Sequence, residues 1–361
     1  FFNDCPVPVE NMLSERGNGF KIAVNVLNVG RIKLGSGVLG GVRTVISKSI
    51  AYSTERRQFG VSINTFGAIK SKLAEMAIRT YVSESLAYRA GQDIEDRMDA
   101  LAAEGLSDAE AKLKALEQFS IECAISKIHG SEVLDYVVDQ GVQIYGGMGY
   151  SAEAPMERAY RDARIARIYE GTNEINRMLM VGMILKRAMK GEINLFEPAM
   201  AVAAELTSVP SFETIDASEL FAVEKDIIKK LKKVFLMVGG KAAMALQDKI
   251  EDEQEIMMNL ADVMIEVYAA ESGILRAEKL ASIKGEESAK FQIAMAKVYL
   301  FEAIDKIEAA AKEAIVSFAK GDEQKVMLMG LKRFTKPDFV NVKELRREIA
   351  DYMIAEGKYP F

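Results

Sequence analysis

From Ile63 onward the apolar side chains recur at intervals of three and four in long runs, and no clear strict alternation appears after the first few residues. Such spacing lays them along one stripe of a helix, whereas a half-buried strand needs a period of two. Phe66, Ile69, Leu73, Met76 and Thr80 open one run, which predicts a helix from Ile63 to about Arg97. Ser107-Asp108-Ala109-Glu110 reads as a capping box, with Ser107 accepting from the first-turn amides. The helix it opens passes Leu116, Phe119, Cys123 and Ile128 towards Gly146-Gly147. Pro155 suits the first turn of a short helix to about Ile168, and Thr172 starts another that ends near Gly191. Long helices with short joins predict an antiparallel bundle.

Asn194 to Met200 and Thr207 to Leu220 read as linker and boundary. Beyond them, further helices are expected at 219–247, 253–279, 286–320 and 342–355. The expected fold is therefore all-α: two helical-bundle domains, 19–192 and 193–361. Residues 1–18, punctuated by Pro6 and Pro8, read as an extended segment ending an upstream β-domain, and the chain as a C-terminal fragment.

Composition removes several function classes. A pI near 5.3 and a net charge of −6 do not suit a nucleic-acid binder, which shows a basic face. No uninterrupted apolar run reaches the roughly 18 residues of a membrane span. Two cysteines far apart, Cys5 and Cys123, make neither a disulfide framework nor a zinc site. The single histidine, His129, lies within a helical pattern, so a catalytic triad or a histidine-rich metal site is not expected. Residues 221–238 carry Lys225, Lys229, Lys230, Lys232 and Lys233 on an amphipathic run. This is either a solvated lysine face on a core helix or a membrane-surface helix.

Two glycine patterns imitate a dinucleotide-binding fingerprint. "GSGVLG" at Gly35 to Gly40 satisfies its letters, with Glu55 downstream, and "GMGYSA" at Gly147 to Ala152 satisfies its Ala-ended form. The fingerprint needs a preceding strand and a βαβ unit. Arg31 to Arg56 instead reads as one helix whose small residues let a neighbouring helix approach closely. Arg56 and Arg57 end it, either as cations complementing the helix dipole or as an anion clamp. Gly146-Gly147 is either a C-cap and turn or a place where backbone meets a ligand with no Cβ between. Glu170 stands between Ile168-Tyr169 and Gly171, at a helix end where a carboxylate is electrostatically unfavourable. Apolar neighbours there could desolvate it into a stronger base.

In this order the stretches "GNGFKIAVNVLNVGRIKLGSGVLGG" (17–41), "YSTERRQFG" (52–60), "VQIYGGMGY" (142–150) and "MERAYRDARIARIYEGTNEINR" (156–177) resemble the C-terminal half of acyl-CoA dehydrogenases. The resemblance covers about residues 1–190 and is closest to the very-long-chain type, whose extra helical domain would account for 193–361. It implies dehydrogenation of an acyl-CoA thioester to the trans-2-enoyl-CoA, with Glu170 taking the α-proton and FAD the hydride. The Glu170 N–H would help hold the thioester carbonyl. FAD contacts carry over to Arg56, Gln58, Gln143, Ile144, Tyr145, Gly146 and Gly147, on a flavin bound by the neighbouring subunit, and to Thr172 and Glu174. Gln58 and Glu174 depart from residues common there, and a Glu174 carboxylate would repel a pyrophosphate. Arg31, Tyr169 and Gly171 fall on the substrate side. Some relatives carry the base at the position of Gly30, which glycine cannot serve.

The resemblance further implies an electron-transfer flavoprotein as acceptor and a homodimer or homotetramer. Location would be cytoplasmic in a bacterium, the mitochondrial matrix in a eukaryote, with peripheral membrane contact through 221–238 as a further expectation. A dehydrogenase-fold scaffold or assembly protein is the alternative function.

Overall fold

The computed structural model describes residues 1–208, 215–216, 218–337 and 339–361. Helix α1 (Gly19–Glu55) leads through a two-residue hairpin, β1 (Arg57–Gln58) and β2 (Val61–Ser62), into α2 (Gly67–Ala103). Then come α3 (Asp108–Gln118), α4 (Ser120–Tyr145), α5 (Gly147–Tyr150), α6 (Pro155–Arg164) and α7 (Asn173–Met189). The remainder forms α8 (Phe196–Thr207), α9 (Ala222–Leu246), α10 (Gln254–Lys284), α11 (Glu286–Phe318), α12 (Gly321–Phe334) and α13 (Val342–Glu356). The protein is all-α. The hairpin, which the sequence reading passed over, pairs Arg57 with Ser62 and Gln58 with Val61. Residues 1–18 form no strand; they are exposed, with a single 3-10 turn at Val9–Asn11.

Helices α1 and α4 form the spine of the first bundle, and glycine sets their spacing. A Cβ on Gly35 would lie 2.3 Å from Ser126 Oγ and 2.4 Å from the Ser126 carbonyl oxygen. One on Gly130 would lie 2.7 Å from the Gly35 carbonyl, and one on Gly141 2.9 Å from Val45. Within "GSGVLG", Gly35 thus serves helix packing, whereas a Cβ on Gly37 or Gly40 would meet nothing within 4 Å. Gly35 meets Ser126, Val45 meets Gly141 and Tyr52 stacks on Tyr145 with ring centroids 4.0 Å apart. Both sequences rise together along these contacts, so α1 and α4 run parallel. Arg79 of α2 covers the ring of Tyr136 at 3.9 Å while Lys72 reaches Gln140, so α2 runs against α4. Short α5 and α6 carry the chain back, so α7 is also antiparallel to α4: Arg177 bonds Glu132, and Ser120 lies 3.8 Å from Met183.

Several expected boundaries shift. The helix expected over 63–97 is Gly67–Ala103, and the one over 253–279 extends to Lys284. Two further shifts have reasons in the contacts. The capping box at Ser107 forms, but its helix ends at Gln118 and α4 begins afresh at Ser120. Arg187 of α7 stabilises the break by donating to the Gln118 carbonyl at 2.9 Å and the Glu117 carbonyl at 2.8 Å, two acceptors a helix end leaves unpaired. The stretch 194–200, read as linker, starts α8. Asn194 Oδ1 accepts from the Glu197 amide at 3.4 Å, and Pro198 falls in the first turn, where its missing N–H costs little. Helix α12 was likewise not anticipated. Half of the expected linker 207–220, residues 209–214 and 217, falls outside the described residues.

One continuous apolar core runs from Val42 to Tyr359, so the C-terminal helices pack directly on α2 and α7. Glu84 of α2 is fully buried and is met by Arg276 at 3.1 Å and the Tyr359 hydroxyl at 3.1 Å. In α9 the apolar stripe Ile227, Ile228, Leu231, Val234 and Val238 is buried in this core. Lys225, Lys230, Lys232 and Lys233 pair with Glu278, Asp226, Glu271 and Glu205. A surface-seeking helix needs its apolar face outward. This corrects the membrane expectation for 221–238, which has no such face to offer.

Candidate active site

The return of the chain from α6 to α7 places Glu170. A 3-10 turn at Ile165–Arg167 extends α6, and the Tyr169 amide still reaches the Ile165 carbonyl at 3.3 Å. Then two successive residues turn left-handed, Glu170 at φ 59° and Gly171 at φ 81°, before Thr172 caps α7 through a 3.2 Å bond from the Ile175 amide. A non-glycine residue there costs about 1–3 kcal/mol, so the surroundings must hold it.

They do so through its carbonyls. Asn176 Nδ2 donates to the carbonyls of Glu170 (3.3 Å), Gly171 (2.9 Å) and Thr172 (3.1 Å). Buried Arg31 donates from Nε to the Glu170 carbonyl at 3.4 Å and from Nη1 to Asn28 at 3.2 Å. Lys127 Nζ donates to the Gly171 carbonyl at 2.8 Å and to Asn173 Oδ1 at 2.6 Å. Hydrogen bonds from charged donors contribute about 1.5–3 kcal/mol each, enough together to offset the strain. Burial lowers the pKa of Arg31, against the carboxylate of Glu170 and the Cys123 thiol. Burial likewise pushes the Lys127 ammonium down to about 8, opposed chiefly by Glu132.

The turn leaves the functional atoms of Glu170 unengaged. Its N–H makes no hydrogen bond among the described residues. Its Oε2 is buried and has no partner. The carboxylate lies over Gly30, where a Cβ would stand 2.5 Å from Oε2 and 2.8 Å from Oε1. Glycine at position 30 thus makes room for a carboxylate carried by the other segment. Tyr169, about half exposed, closes one end of a groove of about 480 Å³ that follows α1 past Gly37, Gly41 and Thr44 to Lys48, with α6 as its other wall.

The remaining candidates gather at the far end of α1 and α4. Arg56 precedes the hairpin, Gln58 lies in its strand β1, and both are exposed, as is Gln143. The side chains of these three make no hydrogen bond or ion pair among the described residues. Tyr52 Oη donates to the Tyr145 carbonyl at 3.2 Å, Tyr145 Oη to the Lys48 carbonyl at 3.3 Å, and Ile144 is buried beneath. Gly146 turns left-handed at φ 60°, and a Cβ on Gly146 or Gly147 would meet nothing within 4 Å. Free donors around bare backbone are what an anionic cofactor requires.

Arg31 and Tyr52 mark the two ends on α1, a separation of roughly 30 Å at about 1.5 Å per residue. Thr172 and Glu174, grouped by the sequence with Arg56, belong to the Glu170 end. The Glu174 carboxyl is held below the usual range by its own amide and by the Thr172 hydroxyl, and it complements the N-terminus of α7. Sequence reasoning missed Lys127, Asn173 and Asn176; the letters "TNEIN" announce a helix start but not what it grips. His129 is buried, its Nε2 2.9 Å from the Tyr299 hydroxyl, and burial pushes it down to about 3. It stays neutral near pH 7.

Known proteins share this fold and sequence pattern. Residues 17–185 and 230–333 each match a family described as acyl-CoA dehydrogenase, C-terminal domain. A probable acyl-CoA dehydrogenase of Bacillus subtilis is 42% identical over 357 residues, 99% of this chain and 60% of that protein. The very long-chain specific acyl-CoA dehydrogenase of Rattus norvegicus mitochondria is 32% identical over 353 residues, 93% of this chain and 50% of the relative. The crystal structure of an acyl-CoA dehydrogenase complexed with FAD from Bacillus anthracis superimposes with a TM-score of 0.94 at 42% identity, covering 98% of this chain and 60% of that one. The chain thus spans about half to three fifths of the length of these relatives.

Proposed function

We propose that this chain, which belongs to the acyl-CoA dehydrogenase family, forms the helical C-terminal part of a flavoprotein that converts saturated fatty acyl-CoA to trans-2-enoyl-CoA. The observation that carries the reading is the Glu170 turn, with a buried unpartnered carboxylate oxygen and an unengaged amide on one strained residue. A carboxylate left without donors keeps its lone pairs for a proton. An α-proton beside a thioester is weakly acidic, so its removal needs both a base and a donor at the carbonyl oxygen.

Glu170 supplies both. Its carboxylate takes the proton from Cα, and its N–H donates to the thioester oxygen as negative charge develops there. The electron pair of the Cα–H bond becomes the new Cα=Cβ bond as hydride leaves Cβ. FAD, when bound, accepts that hydride. Arg31 and Asn176 keep the turn in place, and Tyr169 borders the reacting carbons. The free donors of Arg56, Gln58 and Gln143 and the bare backbone at Gly146-Gly147 fit a pyrophosphate and ribose. Because they lie roughly 30 Å from Arg31 along α1, they would serve the flavin of a second protomer in a homodimer. An electron-transfer flavoprotein would reoxidise the flavin.

The test is anaerobic addition of saturated acyl-CoAs of graded chain length to the full-length flavoprotein. Bleaching of the flavin with one chain-length optimum and a matching yield of enoyl-CoA is the expected result. A flavin that stays oxidised with every acyl-CoA would refute the reading.

A further inference from the structure

Lys127 is fully buried and faces no carboxylate within ion-pair distance among the described residues. Its acceptors are the Gly171 carbonyl and Asn173 Oδ1, both neutral. Burying an ammonium against neutral oxygens is costly, and an apolar side chain of similar volume would fill the space at lower cost. Packing therefore does not account for a lysine here, whereas the atoms it grips do. The Gly171 carbonyl follows the Glu170–Gly171 peptide directly, so the ammonium holds the second of two left-handed residues while Arg31 holds the first.

Resting on the function proposed above, we propose that Lys127 is a positioning residue for Glu170. Held in register by Asn173, it fixes the turn that aims the carboxylate and the amide.

Its own seat is built from several elements. Asn173 Nδ2 donates to Ser131 Oγ at 3.1 Å and to Glu132 Oε1 at 3.0 Å. Arg177 takes Glu132 in a fork, at 2.7 and 3.1 Å, and reaches Asp262 of α10 at 2.7 Å. The chain of contacts Asp262–Arg177–Glu132–Asn173–Lys127 thus ties the base turn to the C-terminal helices. Such a tie matters because a shift of about 1 Å at a reacting group costs on the order of 100-fold in rate.

The test uses the full-length flavoprotein with Lys127→Met, a replacement of similar length without the donors. Two readouts are compared with wild type: the anaerobic rate of flavin reduction set against acyl-CoA affinity, and amide hydrogen exchange of the 168–173 segment. The expected outcome is unchanged flavin content, acyl-CoA affinity within about threefold, a reduction rate lower by roughly 30-fold or more, and faster exchange at the turn. A reduction rate within about twofold of wild type with unchanged exchange overturns the proposal. Should Lys127→Met fail to fold, Asn173→Ala decides it: the same split of rate from affinity supports the proposal, and wild-type behaviour overturns it. If no acyl-CoA bleaches the wild type, the dehydrogenase reading fails, and exchange alone then decides whether Lys127 holds the turn.

Discussion

The two ends of the α1–α4 seam are built in opposite ways. At the Glu170 end, buried Arg31, Lys127 and Asn176 converge on three successive carbonyls and force a strained residue into one position. At the Tyr52–Tyr145 end, Arg56, Gln58 and Gln143 are exposed and unengaged, and two glycines leave backbone bare. The first end is completed from within the chain. The second leaves its side chains and two glycines open to solvent, as the proposed flavin site requires. A base must be placed to within a fraction of an ångström, whereas a diphosphate is held by charge and by several donors at once.

The largest expected effect separates the ends by chemistry. Glu170→Gln keeps shape and hydrogen-bonding capacity but removes the base, so anaerobic flavin reduction by acyl-CoA should fall about 1,000-fold with flavin content unchanged. Next comes the seam itself. In Gly35→Ala the new Cβ meets the Ser126 backbone, which cannot move aside, and denaturant unfolding should show a loss of about 1–3 kcal/mol. Gly30→Ala presents the opposite case, because the atoms it would meet are the end of a side chain, that of Glu170, which can rotate where backbone cannot. Helix propensity rises by up to about 1 kcal/mol, so the melting temperature should hold or increase while the reduction rate falls by about tenfold. The smallest effect belongs to the exposed second end: Gly147→Ala meets nothing within 4 Å, so stability should stay within about 0.5 kcal/mol. Flavin affinity, read by titration of the apoprotein, should drop a few-fold as the Cβ intrudes on the ligand.

The same comparison explains what could be read from the sequence. Helix period, the Ser107 capping box and the Thr172 cap are local, and the structure contains them. The dinucleotide reading of the α1 glycines could be set aside because no strand precedes them, but only Gly35 meets the neighbouring helix, and Gly30 faces Glu170 instead. Glu170 stood out through an oddity confined to neighbouring letters, a carboxylate at a helix end followed by glycine. Lys127 and Asn176 were hidden because their roles arise from contacts made only after folding: Lys127 looks like any polar residue in an apolar helix until Gly171 arrives beside it. The break between α3 and α4 was hidden for the same reason, since Arg187, far along the chain, satisfies its carbonyls. Helix α8 was legible in principle, as Asn194 and Glu197 form a start signal that Pro198 obscured.

The central claim is that the two ends serve different flavins, each site pairing the Glu170 end of one protomer with the Arg56 end of another. Co-expression of Glu170→Gln with Arg56→Glu tests it directly. Each variant alone should be inactive, one lacking the base and the other repelling the pyrophosphate. In a mixed dimer one site draws Glu170 and Arg56 from the two unaltered ends. A random mixture should therefore recover about a quarter of wild-type activity. A mixture as inactive as its parents would contradict the account and place both ends on a flavin held within one protomer, along the groove from Tyr169 to Lys48.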